Sequence, residues 1–71
     1  MVNQMVVSTE IEWIGYEAKR NMLQVEFIAG GTYQYDNVPF SVYENFLNAP
    51  SYGCFFETEI KGQYPYRKVR S

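Results

Sequence analysis

At 71 residues and 8.3 kDa the chain reads as a single domain, 1–71 with a core over about 8–68, near the smallest size that folds without covalent staples. One Cys excludes an intramolecular disulfide and a four-thiolate zinc site, and the lack of His removes Ser-His-Asp, Cys-His and histidine–metal chemistry. A net charge of −2 argues against a domain-wide phosphate-binding surface, and no apolar run exceeds three residues, so neither a membrane-spanning helix nor a secretory signal is expected.

The expectation is a bacterial, cytoplasmic globular domain with no metal, no cofactor and no membrane partner. Its margin of stability rests on aromatic rings, which make up 18% of the residues and bury much area apiece.

Residues 1–9 lack a clear period and read as an extended lead-in. Three strands follow, at Ile11–Glu17, Met22–Ile28 and Thr32–Val38. Leu23, Val25 and Phe27 alternate with Gln24 and Glu26, the period-2 pattern of a half-buried strand. Tyr33 and Tyr35 alternate with Thr32, Gln34 and Asp36 in the same way. The polar turn Ala18–Asn21 sets Tyr16 opposite Leu23 and Ile14 opposite Val25. For the second hairpin, a three-residue loop Ala29-Gly30-Gly31 pairs Phe27 with Tyr33 and Val25 with Tyr35, collecting the large residues on one face. Core packing is therefore expected for Tyr33 and Tyr35, in preference to a base-stacking platform.

Pro39 stops the sheet. Ser41-Val42-Tyr43-Glu44 has the form of a capping box at the start of a short helix. Ala49-Pro50 ends that helix, and Ser51 is a cap for a second one carrying Tyr52, Phe56 and Ile60 at spacings of four. Glu57 precedes Lys61 by four residues, and Gly62 suits the left-handed position after the helix. The tail, Tyr64–Ser71, is either a short edge strand or disordered. The order gives an α+β fold, a three-stranded antiparallel meander followed by two short helices packed on one face.

Taken in order, these residues resemble the KTSC domain, found as a C-terminal extension of some lysyl-tRNA synthetases and as small stand-alone bacterial and phage proteins. The resemblance rests on Gly15-Tyr16, on Leu23-x-Val25-x-Phe27 and on Gly30. Tyr33-Gln34-Tyr35 follows, then Val38-Pro39 and Tyr43, and last the segment Ala49-Pro50-Ser51-Tyr52-Gly53-Cys54-Phe55-Phe56 running on to Ile60. It implies no settled activity, and the company of a synthetase suggests RNA binding.

No catalytic constellation is found. Cys54 stands third after the cap Ser51, yet no base is placed near it, so a small buried hydrophobe is the expectation. Glu57 and Glu59 point in different directions on a helix, and Gly30-Gly31 joins two strands and opens no phosphate loop. Two binding surfaces remain. All eight acids and two bases lie in residues 1–60, whereas Lys61, Arg67, Lys68 and Arg70 make the tail basic. Tyr64, Tyr66, Arg67, Lys68 and Arg70 interleave rings with cations, the composition of a single-strand RNA contact; alternatively the tyrosines pack on the body and the cations pair with its acids. Trp13, Met22 and Ile28 fall on the sheet face opposite the helices. There they either form a surface for a protein partner or a second copy, or are covered by the termini. The expected function is a non-catalytic binding module, for single-stranded RNA through the tail or for protein through the open face.

Overall fold

The computed structural model describes the backbone of residues 2–5 and 10–70 and the side chains of residues 10–69. Five strands form one antiparallel sheet in chain order: β1 (Val2–Met5), β2 (Ile11–Glu17), β3 (Met22–Phe27), β4 (Thr32–Tyr35) and β5 (Tyr66–Arg70). The expected meander is β2-β3-β4, and both termini add a strand to it. Between β4 and β5 come helix α1 (Phe40–Leu47), the single turn α2 (Tyr52–Phe55) and a π turn, Phe56–Ile60. The fold is α+β.

The first hairpin forms as its turn demands, with Tyr16 opposite Leu23 and Ile14 opposite Val25. In the second, the ladder pairs Leu23 with Tyr35 and Val25 with Tyr33, two residues away from the expected register. The loop is Ile28-Ala29-Gly30: the Phe27 amide donates to Gly31 at 3.0 Å, and both glycines hold positive φ, 116° and 98°. That need for two consecutive left-handed residues moves the turn toward the N-terminus. A slip of two leaves every side chain on its expected face, because the period of a strand is two. Tyr35 is therefore buried and Tyr33 half-buried beside Val25 and Leu23.

Helix α1 starts two residues earlier than its sequence signal, with Pro39 at the cap and no side-chain cap bond, so the Ser41–Glu44 capping box does not form. Phe40 supplies the reason. Its ring stands 5.6 Å from Tyr16 and 5.8 Å from Tyr43, which draws the helix start onto the sheet. Ser51 does cap α2, accepting from the Cys54 amide at 3.2 Å. The inner side of α2 is given to Phe55, stacked on Phe46 at 5.1 Å, and to Tyr52, 6.3 Å from the same ring. Cys54 consequently faces solvent, correcting the expectation of a buried thiol. The Lys61 amide reaches back five residues to Phe56 at 2.8 Å, and this wider turn buries both Phe56 and Ile60.

Tyr16 ties these layers together. Its ring stacks on Tyr43 at 5.2 Å, and its hydroxyl donates to the buried Val38 carbonyl at 2.6 Å. Replacing Tyr16 by Phe keeps the ring and orphans that carbonyl, so a loss of about 1–3 kcal/mol is expected in urea unfolding, with the native fold retained.

Candidate functional site: an aromatic groove beside the last strand

The last strand gives the tail residues their positions. Tyr66 pairs with Tyr35 and Lys68 with Tyr33, on the helix side of the sheet, whereas Arg67 pairs with Gln34 on the opposite side. Arg70 pairs with Thr32 beyond an irregularity in the ladder. Strand alternation thus sends Tyr66 and Lys68 to one face and Arg67 to the other. Tyr64 is half-buried against the core. The Arg67 guanidinium is engaged by the chain itself, 2.9 Å from the Asp36 carboxylate and donating to the Met22 sulfur at 3.8 Å.

Those contacts also bear on the two readings of the outer face, an interaction surface or a face covered by the termini. Met22 is 2% exposed, lies under Arg67 and offers nothing to a partner. Ile28 is exposed but sits in the turn after β3, at the mouth of a groove on the helix side. Trp13 is half-buried and lies opposite Glu26, toward the other end of β3 from Met22. Trp13 and Met22 therefore stand at opposite ends of β3. The outer face is instead a polar ladder, with Gln34 donating to Gln24 at 3.0 Å and Thr32 to Glu26 at 3.3 Å.

The helix side carries a groove of about 810 Å³ between β4, β5 and the π turn. Its walls are rings brought from four places in the chain. Phe27 meets Tyr33 edge-on at 5.6 Å and Phe56 at 5.1 Å, and Tyr35 meets Phe56 at 5.7 Å. Tyr66 leans over Tyr33 and Tyr35, with centroids 5.8 and 5.5 Å away, yet is itself 61% exposed. Lys68 holds its ammonium 5.8 Å from the Tyr33 ring, within cation–π reach. Glu57 and Lys61 stand at the rim, 3.8 Å apart and mostly in water. Sequence reading nominated Tyr66 and Lys68 but missed the groove itself, because Phe27, Tyr33, Tyr35, Phe56 and Tyr66 converge only through the folded topology.

Burial pushes the Tyr35 phenol up to about 12, aided by the neighbouring Tyr66 and Tyr33 phenols and the Glu57 carboxylate. An unfolded tyrosine ionises near pH 10, so stability from this group is complete below about pH 10 and is lost as pH rises toward about 12. Burial raises Tyr16 and Tyr43 in the same direction, and they share the effect. Urea midpoints should fall between about pH 10 and 12, and Tyr35→Phe should make that fall shallower.

Among the described residues there is no cluster of three or more side chains suited to hold a metal, and no helix is long and apolar enough to cross a membrane. Comparison with known proteins gives a consistent picture. Residues 7–64 match the KTSC domain model. The chain is similar to a lysine–tRNA ligase of Nostoc punctiforme, 41% identical over 83% of this chain but only 10% of the ligase. It is also similar to an uncharacterized protein of Stutzerimonas stutzeri, 35% identical over 80% of each chain. The crystal structure of a KTSC domain protein from Yersinia pestis superposes with a TM-score of 0.93 at 43% identity, covering 96% of both chains. The chain spans about a tenth of the ligases it matches and most of the small proteins. With this sequence match over most of its length and this strand order, the chain belongs to the KTSC domain family.

Proposed function

We propose that the chain is a non-catalytic binding module for single-stranded RNA, and that the ring-and-cation edge made by Tyr66 and Lys68 is its contact surface. The carrying observation is Tyr66, a tyrosine ring 61% exposed yet held at a fixed tilt over Tyr33 and Tyr35. A ring supported on one side and open on the other is a stacking surface for an unpaired base, and a neighbouring ammonium serves the phosphate. The likeness to a segment of lysine–tRNA ligases, whose name states an RNA substrate, supports the same reading. A cytoplasmic setting accords with such a ligand. Arg67 contributes less than its charge suggests, since Asp36 already neutralises it.

Association through protein has one observation in its favour, the free outer side of β5 at the edge of the sheet. Pairing with a second copy there would bring two copies of a basic strand sequence side by side, which disfavours a symmetric dimer.

The test is an NMR titration of labelled protein with a pool of short single-stranded RNA, first at low and then at moderate salt. Shifts should centre on Tyr66, Lys68 and the groove and shrink as salt rises. Tyr66→Ala should weaken binding by about five- to a hundredfold, the worth of one stacked base. Lys68→Ala should lower the salt slope by about 0.7. A flat titration at low salt would remove this reading.

A further inference from the structure

We infer that the groove between β4, β5 and the π turn is a docking site for a lysine side chain carried on an extended segment of a partner protein, its ammonium placed beside Glu57 and Glu10. The inference goes beyond the RNA reading and stands without it. A base would stack on the open side of Tyr66, whereas the lysine enters beneath that ring.

Charge decides the class of guest. The groove is lined by two carboxylates, Glu10 and Glu57, against the one ammonium of Lys61. An anionic guest is therefore disfavoured inside it and a cation favoured. Glu57 stands near enough to the floor for its charge to act on the Tyr35 phenol. The Glu10 carboxylate lies against α2, where a Cβ added at Gly53 would fall 2.5 Å from its Oε2, so glycine at that position leaves the carboxylate its place. Lys61 meets Glu57 at 3.8 Å with both side chains more than half exposed, a surface pair that a second ammonium can share.

The rings decide the shape of the cation. Phe27 stands at 83° to Tyr33 and 77° to Phe56, and Tyr35 stands at 78° to Phe56. Rings at right angles make corners, and none of these pairs offers parallel walls to a flat guanidinium. An ammonium is compact, with its charge spread evenly around it, and suits a corner of rings. Lys68, which does not line the groove, already holds its ammonium 5.8 Å from the Tyr33 ring. The carbon stem of a lysine would lie on the rings while its head reaches the rim. A volume of about 810 Å³ exceeds what one side chain fills, and Ile28 stands 55% exposed at the mouth beside Ala29 and Gly30. Apolar residues flanking the lysine would cover that ledge, and a free amine would leave it bare. The backbone of the wall fits the same role: a π turn is rare, concentrates at functional sites, and here buries Phe56 while leaving Glu57 at the rim.

The experiment titrates the labelled chain by NMR at low salt with capped peptides Val-Ala-X-Ala-Val, where X is lysine, arginine or norleucine. The lysine peptide should shift Phe27, Tyr33, Glu57 and Tyr66 and bind about tenfold more tightly than the norleucine peptide. Glu57→Gln should weaken the lysine peptide about three- to fivefold, and Lys61→Gln, which removes the competing ammonium, should tighten it about twofold. Both positions are exposed, and the amide spectrum of each variant verifies its fold. Equal binding of the lysine and norleucine peptides overturns the cation site. So does a lysine preference that Glu57→Gln leaves intact, or a weakening in Lys61→Gln. Tighter binding of the arginine peptide overturns the choice of lysine. Butylammonium alone binding as tightly as the lysine peptide would assign the groove to a free amine and overturn the partner segment. No shift with any peptide removes the docking site and leaves the RNA reading to its own titration, just as a flat RNA titration leaves the docking site in place.

Discussion

The tyrosine at position 16 is where sheet, loop and helix are joined. Its ring is sandwiched by Tyr43 and touched edgewise by Phe40, and its hydroxyl closes the backbone of the loop that leaves β4. That loop is also held from the other side, where the Val38 amide donates to the Asn21 carbonyl at 2.8 Å. Val38 is fully buried with both of its backbone polar groups bonded, which is the condition for placing a loop residue in a core. From this junction α1 takes its direction, Phe46 meets Phe55 and Tyr52, and the π turn is laid against Phe27 and Tyr35. In a domain this small, with little surplus burial, the position of the groove depends on that one phenol and its three neighbours.

Much of the fold was legible because period and turn chemistry report on local geometry. Leu23, Val25 and Phe27 declared their face by alternation, the four-residue turn fixed the first hairpin, and Ser51 and Gly62 marked the second helical segment, Gly62 at φ 80°. What failed were signals whose outcome is decided by distant residues. Ser41 and Glu44 formed a plausible cap until the Phe40 ring found Tyr16. Cys54 seemed a core residue by type, but Phe55 and Tyr52 had the better claim on Phe46. Met22 was assigned correctly to the outer face, and of the two outcomes open there, a free surface or a cover from a terminus, the second holds for it, since Arg67, 45 residues later, lies across its sulfur.

The candidate site shows the same division more sharply. A run of rings and cations reads as one surface when written as a line, and strand formation sends alternate members to opposite sides of the sheet. Arg67 is thereby spent on Asp36, and Tyr66 and Lys68 alone join the helix side. The groove could not be read at all, because its floor comes from β3, β4 and the π turn and its overhang from β5. The residues matching the family model stop at 64, so Tyr66 and Lys68 lie outside them.

This arrangement sets the balance between affinity and selectivity on the proposed reading. A chain of net charge −2 with one unpaired ammonium near the site gains little from phosphate neutralisation, and what it gains fades with salt. Stacking on Tyr66 adds to affinity but is nearly indifferent to the base. The less the strand's backbone contributes, the larger the share of binding that rests on the ring surface Tyr66 presents.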